Sequence, residues 1–513
     1  MRRSALLAFA VALLVGCGGT QTGGGNGAGD ALAYLPADAA TVLLLSTDVD
    51  GEQWRRFDEL VFQRLEEDDP TTVAEAATQG AEELELSWKS DVKPLLGNEL
   101  AIAITGDPMT FLGGEGDASI VGALETRSGE IERVLEKAGF ERSAEVAGGA
   151  LYGLEDGGWA VAVEGDVLVF GEDEQVVREA LNRRDSGGGL DEDAVQEQLG
   201  DLPEDNLLRG FGTLARITEN EPLSRFANDG FVQALESWAG ALRFSESDLT
   251  AELAVRLDEE VLEEDDLPLA TGPEAPEIVV RDREISGGNR NQSQTTAFLL
   301  RALQVAYPDS RFVRAVDALD EDLGISFEEE ILRQFDGPSV SYVSPDGRTF
   351  AARSEVHDPE ALRRMLPRIA PHLPALVEGL QGLQSEGMAL LFLFAPDAPA
   401  ASPMHNVRVE PPASDDGLYR ISGLTGDGPS ELHLGLIGDV FVVASSERAA
   451  RDIVDAPTQE AEGAQGAGVL RADLAALDQE AGLLPIPIRG KELVASLEAS
   501  TDELRARVRV ELD

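Results

Sequence analysis

Residues 164–181, EGDVLVFGEDEQVVREAL, combine a turn, a strand and a helix in one short stretch. Gly165-Asp166 is a typical tight-turn pair, the apolar run after it predicts a buried strand, and the spacing after Asp173 predicts an amphipathic helix. Residues 437–454, IGDVFVVASSERAARDIV, repeat this pattern at an offset of 273, with Gly, Asp, Val, Glu and Arg in common. The chain therefore contains this turn–strand–helix unit twice.

Three further matches keep the same order along the chain. They are GNELAIAIT (97–105) with GPSVSYVS (337–344), the strands that follow Tyr152 and Tyr419, and LAVRLD (253–258) with VRVELD (508–513). Because chance does not account for four matches in the same order, we infer two copies of one unit, residues 32–266 and 267–513. The acidic run at 258–266 ends the first copy as a solvated linker. The offset grows before Tyr419, which predicts an insertion near 371–418 in the second copy.

The predicted elements of the first copy indicate its fold class. Strands are predicted at 41–47, 99–105 and 119–125, and a helix at 52–65. Three successive strands within 150–170 leave no room for crossover helices, so they predict antiparallel pairing. The predicted fold is α+β: two tandem copies of an antiparallel sheet, with helices packed on one face.

The amino terminus has the pattern of an export signal. A basic start, Met1-Arg2-Arg3, precedes an apolar run at 5–15 that is too short to span a bilayer. The run ends in Leu14-Val15-Gly16-Cys17, which resembles a bacterial lipobox. The resemblance implies that the signal peptide, residues 1–16, is cleaved after Gly16 and that Cys17 is acylated. A plain secretory signal with a chance cysteine is the alternative.

The residues after Cys17 are predicted to form a flexible tether. Residues 17–31 are rich in Gly, Thr, Gln and Asn, and Cys17 is the one cysteine of the chain. An acylated Cys17 makes the membrane the first expected partner and the cell envelope the expected location. No Asp follows Cys17, which favours the outer over the inner membrane; which face the protein occupies is left open.

The stretch LPADAATVLLLSTDVD (35–50) and the two Gly-Asp-Val units resemble a bacterial family of envelope proteins with a domain of unknown function. The resemblance covers most of residues 32–513. It implies an exported, membrane-attached protein and carries no activity or catalytic residue to transfer. The second copy keeps only a trace of the opening, in LPLATGPEAPEIVVRDRE (267–284).

The charge of the chain excludes one class of partner. The formal net charge is −55, with 96 acidic and 41 basic residues. Such a chain repels nucleic acid, so no nucleic-acid partner is expected. The acidic surface serves either to keep the protein soluble or to bind cations or a basic partner, and the first is favoured.

No motif of an enzyme or a metal site is present. The four histidines, His357, His372, His405 and His433, have no metal-ligand spacing, and the chain has no serine elbow and no phosphate-binding loop. We therefore predict a non-enzymatic protein with no catalytic residue, no metal and no cofactor.

The insertion contains the most apolar segment of the mature chain. MALLFLFAPDAPAASP (388–403) places Leu390, Leu391, Phe392 and Phe394 before a Pro/Ala-rich loop. These side chains form either an apolar lip that binds lipid, an acyl ligand or a partner, or a buried strand, which is the favoured reading. The predicted function is a lipid-anchored envelope protein that binds or scaffolds. The alternative is a carrier or sensor of an apolar ligand.

Overall fold

The structure is a computed structural model. It describes residues 28–62, 72–106, 118–126, 129–146, 149–153, 158–215, 217, 223–280, 285–345, 347–386, 407–413, 417–424, 430–461, 463–474 and 490–512. Helices and strands occur in comparable amounts, so the α+β class is confirmed.

The described strands of the first half are β1 Thr41–Ser46, β2 Glu99–Thr105, β3 Ser119–Glu125, β4 Glu141–Val146, β5 Gly149–Gly153, β6 Ala160–Glu164, β7 Val167–Gly171, β8 Leu208–Thr213, β9 Leu235–Phe244 and β10 Asp248–Leu257. The helices are α1 Glu52–Phe57, α2 Val73–Glu83, α3 Ile131–Lys137, α4 Glu174–Ser186, α5 Glu192–Leu199 and α6 Gly230–Gln233.

The described strands of the second half are β11 Glu277–Val279, β12 Ile285–Asn289, β13 Ser339–Val343, β14 Phe350–Glu355, β15 Arg408–Glu410, β16 Tyr419–Ser422, β17 Glu431–Ile437, β18 Val440–Ala444, β19 Thr458–Glu460, β20 Gly468–Asp473, β21 Gly490–Ala499 and β22 Glu503–Leu512. The helices are α7 Gln292–Ala306, α8 Arg311–Leu323, α9 Pro359–Ile369, α10 Leu373–Glu386 and α11 Glu447–Val454.

The described strands form one antiparallel sheet, and among them only β11 and β19 pair apart from it. From edge to edge the described strands follow the order β4-β5-β6-β7-β3-β2-β1-β8-β9-β10-β22-β21-β20-β12-β13-β14-β18-β17-β16-β15. The second half thus repeats the order of the first in reverse, and β10 and β22 join them. The prediction of a separate sheet for each copy is therefore not what the structure has.

Contacts around the central pair are reciprocal. The amide of Leu512 donates to the carbonyl oxygen of Ser247 at 2.7 Å, and the amide of Leu257 donates to that of Asp502 at 2.8 Å. Each donor and each acceptor is displaced from its counterpart by 255 residues, the offset of the last sequence match. The same 255-residue offset therefore relates the sequences of β10 and β22 and the hydrogen bonds at their ends.

A capped turn also occurs once in each half. The Ser87 hydroxyl accepts from the amide of Ser90, and the Ser326 hydroxyl accepts from the amide of Glu329. A carboxylate four residues on closes each turn, since Asp91 accepts from the Ser87 amide and Glu330 from the Ser326 amide. Each turn leads into the second strand that its half contributes to the main sheet, β2 or β13.

Helices cover both faces of the sheet in the first half, so the prediction of helices on one face is wrong. Trp54 of α1 and Ile131 of α3 pack on one face, while Val177 of α4 and Leu199 of α5 pack on the other. The reason is visible in β6, whose residues are all buried. A strand that is apolar at consecutive positions needs helices or loops on both of its faces. The prediction of helices on one face relied instead on the strands in which apolar and polar residues alternate.

The folded part of the chain begins before residue 32. A 3₁₀ helix at Gly29–Tyr34 buries Ala31 and Leu32 against the face that α4 and α5 cover. In the described part of the chain, no helix combines the length and apolar composition needed to cross a bilayer.

We predict that two matched serines contribute equally to stability. The Ser245 hydroxyl accepts from the Asp248 amide at 3.0 Å in the β9–β10 turn, and the Ser500 hydroxyl accepts from the Glu503 amide at 3.2 Å in the β21–β22 turn. Ser245→Ala and Ser500→Ala should each lower the free energy of unfolding by about 1 kcal/mol in chemical denaturation.

Thr501→Ala, in the same turn as Ser500, is the control and should change stability little. A loss in only one of the two serine variants would contradict the equivalence of the turns.

Candidate apolar binding surface

The site residues predicted from the sequence lie outside the described residues. They are Gly16, Cys17, Leu390, Leu391, Phe392 and Phe394. Their roles in signal cleavage, lipidation and apolar contact therefore stay predictions.

Three large apolar side chains are exposed on the central strands. Leu253 of β10, Leu470 of β20 and Leu497 of β21 are 43%, 42% and 45% exposed. Residues directly opposite each other in a ladder point to the same face of a sheet. The register places Leu253, Ala506, Leu497 and Gly468 in one row across β10, β22, β21 and β20.

A second row lies beside the first on the same face. It consists of Ala251, Val508, Ala495 and Leu470, again across the four central strands. Neither row contains a charged side chain, although 27% of the residues of the chain are charged. We call these eight residues the central apolar surface.

Packed side chains bound the central apolar surface at both ends of the strands. On one side, Leu249, Leu493 and Val510 join the cluster that Trp54 of α1 covers. On the other side, Val255, Leu504 and Ala499 join a cluster that is covered by Leu262 of the linker and by Leu267, which follows the linker. The central apolar surface thus lies between two covered regions of the sheet face. Its exposed side chains are Leu253, Leu470 and Leu497. Ala495 and Val508 also pack against the first cluster, and Gly468 is buried.

The opposite face of the same strands is charged. On β22 it carries Arg505, Arg507 and Arg509. On β10 it carries Glu252, whose carboxylate lies 3.1 Å from the Arg507 guanidinium. Sequence alternation predicts such two-faced strands, but it does not tell which apolar face the helices leave open. For that reason the sequence did not point to Leu253, Leu470 or Leu497.

A polar pocket of about 460 Å³ lies elsewhere, beside the end of β1. Asp48, Asp50, Lys89 and Lys93 line it, and the Lys93 ammonium lies 3.5 Å from the Asp50 carboxylate. Burial raises the pKa of Asp50, and Lys93 opposes the shift. With an ammonium group already paired to its carboxylate, the pocket is poorly suited to a cation. In the described ranges, no group of three or more His, Cys, Asp or Glu residues is placed to hold a metal ion.

Asp91 is the buried carboxylate next to this pocket. It is 2% exposed and accepts hydrogen bonds from Lys137 at 2.5 Å, from the Ser87 amide at 2.8 Å and from Arg133 at 3.0 Å. These donors lower the pKa of Asp91 to about 2, with the Lys137 hydrogen bond as the largest cause. The cluster fixes the capped turn at Ser87 to helix α3, so it is structural.

We predict that Asp91→Asn destabilises the protein by about 2 kcal/mol at pH 7, because a neutral amide replaces a buried carboxylate that accepts hydrogen bonds from Lys137, Arg133 and the Ser87 amide. Folding lowers the pKa of this carboxyl from 3.8 to about 2, so its contribution is present above about pH 4. As the pH falls from about 4 to about 2, the carboxylate is protonated in the folded state and the contribution is lost.

Urea unfolding of wild type and variant across this pH range measures the difference. Asp309→Asn changes an exposed residue and is the control. Its stability should equal that of the wild type at every pH. A gap between wild type and Asp91→Asn that stays constant down to pH 2 would contradict the assignment.

No family model matches the chain, and no curated protein matches it. Among solved structures, crystal forms III, I and IV of TP0453 are similar to it at 10%, 9% and 10% identity, with TM-scores of 0.27, 0.25 and 0.27. The matches cover 44% of this chain in each case and 79%, 78% and 80% of the TP0453 chain. Likenesses with such TM-scores carry no argument about function.

Proposed function

We propose that the protein is a lipoprotein of the bacterial cell envelope that acts by binding and not by catalysis. The basic start, the short apolar run and Leu14-Val15-Gly16-Cys17 support an acylated Cys17 as its membrane anchor. The resemblance to the envelope family supports the same location. The outer membrane is favoured, since no Asp follows Cys17.

We also propose that the two halves are tandem copies of one α+β unit. The reversed strand order, the reciprocal hydrogen bonds of β10 and β22, and the capped turns at Ser87 and Ser326 support this reading.

The observation that carries the binding function is the central apolar surface. Monomeric soluble proteins rarely expose contiguous apolar patches larger than roughly a few hundred Å², and such patches commonly mark a site of interaction. Leu253, Leu470 and Leu497 lie together on one face, in the middle of the sheet, where helices or loops cover both neighbouring regions.

The specific ligand class favoured by this surface is the acyl chain of a membrane phospholipid. Eight neighbouring positions without charge complement hydrocarbon and offer no partner for a charged or strongly polar group. Small residues between the leucines, such as Ala506 and Ala495, keep the floor low. Four strands spaced about 4.8 Å apart give the surface a width of roughly 14 Å. This is the carrier form of the proposed function.

We predict that Cys17→Ser releases the protein from the membrane. Without the thiol there is no thioether to diacylglycerol, so the variant should appear in the soluble fraction and incorporate no labelled fatty acid. Thr20→Ser, in the same tether, is the control and should remain in the membrane fraction. If Cys17→Ser stays membrane-bound and is processed like wild type, the anchor assignment is wrong.

We predict that the protein purified from its own membranes retains phospholipid through the central apolar surface. Native mass spectrometry and phosphorus analysis should find close to one phospholipid per wild-type chain. The double variant Leu253→Ser/Leu497→Ser should retain less than a fifth of this amount, because it places hydroxyls in the middle of the surface.

Val261→Ser changes a residue of the linker that is equally exposed, so it should retain phospholipid like wild type. Both leucines are exposed, so the double variant should fold, and its unfolding midpoint checks this. Wild-type protein without phospholipid, or equal amounts in all three proteins, would contradict the carrier function.

A further inference from the structure

The ladder between β10 and β22 is the only one that joins the two halves among the described strands. At its centre the Glu252 carboxylate lies 3.1 Å from the Arg507 guanidinium. The two residues are 255 positions apart. The same offset relates the residues of the reciprocal hydrogen bonds on either side, Ser247 to Asp502 and Leu257 to Leu512. Glu252 and Arg507 therefore occupy the point about which the interface is symmetric.

The symmetry of this interface means that strands of different chains could pair in the same way. Because β10 and β22 hold equivalent positions, the geometry that pairs β10 with β22 also suits two β10 strands, or two β22 strands, from different chains. In the same register, two β10 strands would place Glu252 against Glu252. Two β22 strands would place Arg507 against Arg507 and Arg505 against Arg509.

The pairing within one chain avoids all of these repulsions. In the observed register Arg505, Arg507 and Arg509 lie opposite Ala254, Glu252 and Thr250. Like charges directly opposite each other destabilise a strand pair, and opposite charges stabilise it. The charge pattern thus favours the observed β10–β22 pair over the β10–β10 and β22–β22 pairs that symmetry would also allow.

Burial strengthens this discrimination. The Glu252 side chain is 8% exposed and that of Arg507 39%, and the Arg507 Nε is buried without a hydrogen-bond partner. A like-charge pair at this point would leave a poorly solvated charge without compensation, and that costs far more than on an open surface.

We infer that Glu252 and Arg507 select the partner of this interface: each half recognises the unlike half of its own chain and rejects the like half of a second chain. The partner of the β10 edge is therefore the β22 edge, with an arginine at its centre. The inference rests on the proposed tandem copies for the symmetry of the interface, and on the observed contacts for the role of the charges.

Charge exchange in the full chain tests the inference. Glu252→Arg places two arginines at the centre, Arg507→Glu places two glutamates there, and the double variant restores an opposite pair with reversed polarity. Each single variant should lower the equilibrium constant of folding at least tenfold, and the double variant should recover most of the loss. Glu259→Arg makes the same charge change on an exposed residue just beyond β10, so it should leave folding unchanged.

Partner choice is measured by unfolding the Glu252→Arg and Arg507→Glu chains together and refolding the mixture. Each chain then finds its opposite charge only on the other, so a heterodimer of twice the chain mass should form, which light scattering detects. Either chain refolded alone, and the wild type, should give no such dimer.

The outcomes separate the claims. A double variant as unstable as the worse single variant overturns the inference, because the charges would then not act as a pair. Recovery in the double variant without a heterodimer in the mixture also overturns it, because the pair would stabilise the fold without selecting the partner. The tandem copies are tested separately by the matched serine variants Ser245→Ala and Ser500→Ala.

Discussion

The antiparallel ladder between β10 and β22 is the contact on which the rest of the structure depends. A strand at the edge of a sheet exposes a row of unpaired backbone donors and acceptors, and long edges invite association with other chains. The ladder turns two such ten-residue edges into the centre of one sheet. The remaining edges, β4 and β15, are shorter and carry exposed charges such as Glu141, Glu145 and Arg408, which protects them. The junction of the halves therefore also removes their most hazardous surface.

Much of the fold could be predicted from the sequence, because its signals are local. The turn–strand–helix unit at 164–181 forms β6 to α4, its match at 437–454 forms β17 to α11, and Tyr152 and Tyr419 lie in the equivalent strands β5 and β16. The joining of the halves into one sheet was not predictable. Alternation in β10 tells which side chains share a face, but it does not tell which strand lies alongside. Pairing with β22 depends on Glu252 and Arg507, two charged residues that are inconspicuous among 137 in the chain.

The same limit explains why the candidate site was missed. The sequence drew attention to Leu390 and Phe392, where apolar residues are consecutive, and these lie outside the described residues. The central apolar surface has no consecutive run, since Leu253, Leu470 and Leu497 come from three strands and are brought together only by the register. A surface assembled across strands has no signature in any one segment. Its absence of charge is apparent only once the rows are known.

The two faces of the central strands differ in charge and in what packs near them. Ala28, where the described chain begins, packs with Leu44 on the face that carries Glu252 and Arg507. The central apolar surface lies on the other face. The chain proposed to be anchored at Cys17 therefore joins the fold on the charged side of the sheet, opposite the proposed ligand surface. In a chain with a net charge of −55, this surface carries no charged side chain, so hydrocarbon can contact it without the cost of desolvating a charged group.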